Sequence, residues 1–476
     1  MAIITSAGSG NFSAGATWVG GVVPGAADDA VASNGHIVVI DVNTTVTKVT
    51  QTGTGKFTLG NGITLTANVE ANAGTFTSGG TVDVICGVGQ SATITGNITG
   101  VSSTANNIAG VVVSGVGSLT INGNVTGSAG NASSEANGHA GVYTNVTCTI
   151  NINGAVNGGT GSHKRGVQIG TSSNATITIT GNVTGGISSQ GHGAFSQGAS
   201  AVITIIGNVT GAGGGGANSY GAFSQGTSAV TTITGNVTAG IGGGGQCYGV
   251  FSQGLSAIIN ITGNVNGANQ TNAIGAFSQG ASAVINITGN VTGANGGGAY
   301  GAQSSGVSAV ITITGNVTAG VGALGLYSIG ASSFVDMIGT VTAVNPSLHG
   351  IRSDATTSGF GIRFSGNLID SPNGTVAVYT RFFRIVTNSG ITQYANSQGF
   401  PTGGMVSRVS PSNVTGMPSV NNVRNALVYG FNNELTGSLK VPPSGSVALG
   451  VPVDNGLGTA MISIQDMGTL LASYVV

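Results

Sequence analysis

The chain has 476 residues, 88 of them Gly, and its 11 Lys and Arg nearly balance its 12 Asp and Glu, leaving a formal net charge of −1. Near neutrality argues against a nucleic-acid or anionic-membrane surface, and no apolar run reaches the roughly 18 residues a membrane helix needs. Cys86, Cys148 and Cys247 are odd in number and widely spaced, which excludes a readable disulfide framework or metal-ligand spacing and predicts buried thiols.

Residues 1–90 read as an N-terminal cap or attachment segment with short strands. The opening MAIITSAGSGNF lacks a basic region followed by an apolar run, so no secretory leader is expected there. Trp18, Gly20, Gly21 and Pro24 precede Asp28 and Asp29, and Gly35, His36 and Asp41 follow. Strands are predicted at VVIDV, KFTLG, ITLTANV and TVDVICG. The end of a stacked repeat is an open edge, so a non-repetitive cap is expected, with Trp18 plugging the core.

Residues 91–370 repeat a unit close to GAFSQGxSAVITITGNVTG. Landmark glycines, mostly in Gly-Asn pairs, run from Gly96 to Gly366 in steps of 24 to 31 residues, 27 on average. Gly, Asn, Ser and Thr with Ile and Val at the apolar positions form helices poorly and strands well. In one unit Ile311, Ile313 and Val317 share a face, opposite Val310, Thr312, Thr314, Asn316 and Thr318. That is a period-two strand pattern with one dry face and one polar face. Three strands per unit, at YGAFSQ, SAVITIT and GNVTG, make one turn of an all-β, three-sided parallel β-helix; a four-stranded propeller blade would need about 40 residues.

From Gly166 to Val335 there are 170 consecutive residues without Asp, Glu, Lys or Arg. Stacking accounts for this: a charge repeated in every coil would face a like charge one strand spacing away. Amides and hydroxyls can instead form ladders along the axis. Asn208, Asn236, Asn264, Asn290 and Asn316 form one candidate ladder, and Gln197, Gln225, Gln253 and Gln279 another. The Gly-rich loops between units lack the Gly-Lys-Ser/Thr signature of a phosphate loop and read as insertion-tolerant corners.

Phe195, Phe223, Phe251 and Phe277 recur in phase, with Tyr220, Tyr248 and Tyr300 three residues before equivalent positions. The Phe row reads as an interior stack, since buried aromatics supply large area. For Tyr220, Tyr248 and Tyr300 two readings stay open: interior stacking, or a strip that stacks on sugar rings. His163, Lys164 and Arg165 read as a solvated corner. His139, His163 and His192 fall in loops of successive coils, but no metal site is predicted from them. Glycosidase chemistry needs two carboxyl groups within about 10 Å. The body has none between Glu135 and Asp336, and Asp336, Asp354 and Asp370 lie off the coil period. No catalytic residues and no cofactor are therefore expected.

Residues 371–476 read as a small, mainly-β C-terminal domain. VAVYTRFFRIVTN is strand-like, Val420, Val423 and Leu427 have a short helical spacing, Pro442-Pro443 marks a break, and SIQDMGTLLASYV closes as a short helix.

The body resembles the parallel β-helix shafts of bacteriophage tail spikes, tail fibres and related virion proteins. ATWVGGVVPGAADDAVASNGHIVVID is similar to a cap on many phage and bacterial β-helix proteins, and VRNALVYGFNNELTGSLKVPPSGSVALGVPVDNGLGTA to a module near the ends of phage structural proteins. The resemblance implies a multimeric virion part assembled in the host cytoplasm; the chain departs from depolymerising tail spikes in lacking a carboxylate cluster on the shaft, so a non-enzymatic role is expected. It further implies a homotrimer, the usual arrangement, in contact with other virion proteins and host-surface polysaccharide, while the near-neutral charge and the lack of a long apolar run lead to the expectation of no nucleic acid and no membrane insertion. Two other readings remain: a tail spike that depolymerises cell-surface polysaccharide, and a bacterial surface adhesin.

Overall fold

The computed structural model describes residues 2–52, 55–59, 63–72, 82–84, 91–100, 109–113, 117–127, 140–160, 164–186, 191–211, 218–241, 246–268, 273–295, 298–320, 322–342, 351–353 and 361–369, and beyond these 378–380, 382–386, 392–396, 428–429 and 435–436. The Val420–Leu427 spacing, the Pro442-Pro443 break, the closing helix, Cys86, Asp354 and Asp370 lie outside the described residues.

The described chain is a parallel β-solenoid of about 10 turns, each of roughly 26 residues. One coil contributes three strands, Tyr300–Ser304, Val310–Thr314 and Val317–Thr318. These form a back column, a long column and a short column. The long and short columns belong to one 26-stranded sheet, while the back column is most of a 12-stranded sheet. Strand Phe334–Thr342 shows why: it runs through both front columns without a break, crossing Gly339. Register offsets between neighbouring coils run from 19 residues near the N-terminus (Ile37 to Lys56) to 31 in the repeat body (Thr120 to Asn151). The loops absorb the variation, so the columns stay aligned.

The landmark glycines stand one above the next. Gly339 pairs with Gly366. A Cβ added at any landmark from Gly123 to Gly339 would overlap the carbonyl of the landmark Gly one rung below. Gly207, Gly235, Gly289 and Gly315 also hold φ between 150° and 152°, where an L side chain is strained. Between Gly235 N and Val237 N, which donate upward to Thr262 O and Asn264 O, Asn236 N donates downward to Asn208 Oδ1 at 2.9 Å. The same 2.9 Å bond joins Asn264 to Asn236, Asn290 to Asn264 and Asn316 to Asn290. The Asn ladder therefore exists, with a backbone N–H as each donor: the side-chain carbonyl satisfies the one amide that the kink takes out of the strand ladder.

Inside the coils Ile203, Ile205 and Val209, and their equivalents Ile311, Ile313 and Val317, are fully buried. Each such side chain contributes about 1.5–3 kcal/mol on burial. The predicted plug is in place. Trp18 is 1% exposed, belongs to the same continuous core, meets Phe12 edge-on at 4.9 Å and donates from Nε1 to Phe12 O at 2.8 Å. Cys148 and Cys247 are buried free thiols. Strands Val378–Thr380 and Phe382–Val386 still pair in parallel with the columns below them. The next strand, Thr392–Asn396, is antiparallel. Among the described residues no helix is long and apolar enough to cross a membrane.

Candidate functional site

The candidate aromatic residues sit on the back column. In Tyr248–Ser252 and Ile274–Ser278 the pairing runs Tyr248 to Ile274 and Val250 to Ala276, passing over Gly249 and Gly275. A Cβ at Gly249 would lie 2.5 Å from Val265 Cγ1 and 2.6 Å from Gly275 O, so only Gly fits where the back column approaches the short column. Val250 and Ala276 face the Ile and Val core, while Phe251, Phe277 and Tyr248 join a separate aromatic cluster. Strand residues alternate faces, so Phe251, next to core-facing Val250, points out of the solenoid and is buried there by its own stack.

Phe195, Phe223, Phe251 and Phe277 stack at 4.8, 4.9 and 5.1 Å between ring centroids. These separations match the strand spacing of about 4.8 Å. Beside them runs a second stack, His192 on Tyr220 at 4.7 Å and Tyr220 on Tyr248 at 5.1 Å. Its edges meet the Phe rings in T-shaped contacts, Tyr220 to Phe223 at 5.1 Å and Tyr248 to Phe251 at 5.2 Å. His192 is buried, and its Nδ1 accepts from Tyr220 N at 3.2 Å. Burial holds the Tyr248 hydroxyl un-ionised well above the usual tyrosine range.

The three tyrosines therefore differ. Tyr220 has a ring on each face and is 6% exposed, and Tyr248 is 2% exposed. Ile274 interrupts the row, and Tyr300 above it is half-buried and stacks on Tyr327 at 5.2 Å. A sugar ring needs an open aromatic face, which Tyr220 does not present.

Next to the rings, Gln168, Gln197, Gln225, Gln253 and Gln279 form an amide ladder, each Nε2 donating to the Oε1 above over 3.0 to 3.3 Å. Arg165 closes its lower end. Its guanidinium donates to Gln168 Oε1 at 2.9 Å and lies 4.5 Å from the centre of the Phe195 ring. This corrects the solvated-corner reading of His163–Arg165: Arg165 is 2% exposed and Lys164 fully buried. The planar, delocalised guanidinium can cover a ring and bond an amide edge together, which a solvated cation would not. Burial lowers the Lys164 ammonium to about 8. Sequence reasoning missed Arg165 and His192 as members of this spine. The available signal was phase, since Gln168 stands in register with Phe195.

Elsewhere, Ser6 Oγ accepts from Ser33 N and shares a hydrogen bond with His36 Nδ1, each at 2.8 Å, tying the first coil to the second. His139 and His163 lie outside the described residues, and among those described no group of three His, Cys, Asp or Glu could hold a metal ion. Asp336 stands in register with Thr312 on the outer face of the long column.

No family model matches the chain, and neither a curated protein nor a solved structure matches it significantly. The fold itself defines the class: a parallel β-solenoid repeat protein.

Proposed function

We propose that this chain is a rigid, non-enzymatic structural rod of a bacteriophage particle, part of a tail fibre, spike or surface appendage. It mediates attachment or host-surface binding as a homotrimer in contact with other virion proteins. The observation that carries this reading is the parallel register from Ile3–Thr5 to Gly361–Ile369, sealed below by Trp18. Each rung contacts only its neighbours, and continuous pairing with a shared dry core across the described rungs supports a stiff column. The resemblance of the opening and closing segments to phage proteins supplies the particle. Host-surface polysaccharide is the proposed receptor, and of the predicted tyrosines Tyr300 keeps the accessibility such a contact needs.

The test is electron microscopy of particles carrying a labelled copy of this chain. Label on a projecting appendage supports the proposal; label absent from particles overturns it. Incubating the purified protein with host capsule or lipopolysaccharide tests the non-enzymatic part, since released oligosaccharide would make it a depolymerase. Light scattering that gave a monomer mass would remove the trimer.

A further inference from the structure

The outer face of the 26-stranded sheet repeats in two dimensions. In one coil Val310, Thr312, Thr314, Asn316 and Thr318 all point outward, because Ile311, Ile313 and Val317 between them are fully buried. The alternation continues across the Gly315 kink, so the long and short columns present one face. Along the axis the middle rank reads Thr178, Thr204, Thr232, Asn260, Asn286, Thr312 in register. The next rank reads Thr180, Ile206, Thr234, Thr262, Thr288, Thr314. The short column adds Thr184, Thr210, Thr238, Asn266, Thr292, Thr318. Asp336 and Arg363 end the uncharged middle rank.

We infer that this face binds ice. Its ranks lie about 4.8 Å apart along the axis and about 6.6 Å apart along a strand, a two-dimensional grid on the few-ångström scale of a crystalline water surface. Thr suits this task because its β-branch restricts χ1, so hydroxyl and methyl are held at fixed lattice positions rather than sampled. Stacked side-chain ladders favour a flat sheet over the usual twisted one. The face spans nine rungs, from Ser91–Thr95 to Val310–Thr314. At about 4.8 Å per rung and five alternate positions wide, it covers on the order of 1,000 Å². That exceeds the roughly 800 Å² each partner offers in a standard stable interface. The face carries no charge, so a charged partner gains nothing from it. Its order along two axes matches a partner periodic in two dimensions, whereas a single glycan chain is periodic in one.

The purified full chain is tested by measuring the gap between ice melting and ice growth temperatures, together with crystal shape under the microscope. The expected result is faceted crystals and a gap that widens with protein concentration. Thr234→Tyr and Thr262→Tyr place bulk on two adjacent rungs of an exposed rank and should abolish the gap while circular dichroism stays unchanged. Leu255→Lys, at an exposed turn outside the face, should keep it. No gap and no facets with the wild-type chain would overturn the inference, whatever else the face binds. So would a full gap retained by the folded Tyr variants.

Discussion

The cap and the rod body solve the same problem, satisfying a stacked backbone, in opposite ways. Below Leu59 the contacts are individual and partly ionic. Asp28 accepts from Ala2 N and Gly25 N, Asp41 from Ser13 N and Oγ, and Lys48 approaches Asp29 at 4.0 Å. Between Gly166 and Val335 no Asp, Glu, Lys or Arg occurs, and the Asn, Gln and Phe contacts recur over several successive rungs. A charge serves well once, at an end, where no identical charge stands above it. In a column only neutral groups that both donate and accept, or rings with two equivalent faces, can be repeated.

The largest way to break that contrast is to open the cap. Trp18→Ala removes a buried plug and its bond to Phe12 O, and should cost about 3–5 kcal/mol in chemical denaturation. Inside the body, Gly289→Ala forces a Cβ onto the Gly263 carbonyl at φ 150° and should cost at least about 1–3 kcal/mol. The same substitution at half-buried Gly8, where a Cβ meets nothing within 4 Å, should be nearly silent.

Writing charge into the body sharpens the comparison. The double variant Gln225→Glu/Gln253→Glu puts two carboxylates one rung apart and should cost about 1–3 kcal/mol at neutral pH, from Coulomb repulsion at about 4.8 Å. Repulsion raises the folded pKa of the pair above the unfolded value. The destabilisation should therefore grow as pH rises through the raised pKa and fade below about pH 4. A loss that persisted unchanged at low pH would instead implicate the broken amide bonds.

Acid should separate the two regions in the wild-type chain. Backbone hydrogen bonds from Gly25 and Ala2 hold Asp28 below the usual carboxylate range. Burial would raise Asp41, but the bonds from Ser13 outweigh it and the net shift is downward. Groups with lowered folded pKa contribute stability above their unfolded value of about 3.9 and lose it as pH falls through the folded one. Hydrogen exchange at low pH should speed up at Ala2, Ser13 and Gly25 while the carboxylate-free coils stay protected. A pH effect of the opposite sense is expected at Lys164. Its folded pKa of about 8 lies below the unfolded one, so stability should rise from about pH 8 toward pH 10 as the buried amine loses its proton. Lys164→Met should flatten that rise in urea midpoints.

Much of the rod was legible because its signal is local. The Ile311/Ile313/Val317 alternation and the Gly landmarks report strand phase and period directly, and the Gln, Phe and Asn ladders follow from stacking equal positions. What was not legible depends on which side of a strand a residue takes. The Phe row was expected inside but forms a second dry layer outside the back column, since the bend at Gly249 and Gly275 resets the alternation. Arg165 looked like a solvated cation because sequence shows its charge but not the ring and amide that cover it. Tyr220, Tyr248 and Tyr300 look equivalent by spacing, yet one Ile in the row and the place of each ring in its stack separate them.

The amino-acid order alone determined that the chain winds into stacked coils, because a fixed period of β-branched alternation without charge permits little else. Only the tertiary structure decided which neutral groups satisfy one another, which rings are sealed and which outer face stays open. Those outcomes depend on coils meeting at a distance of one strand spacing, across 19 to 31 residues of chain.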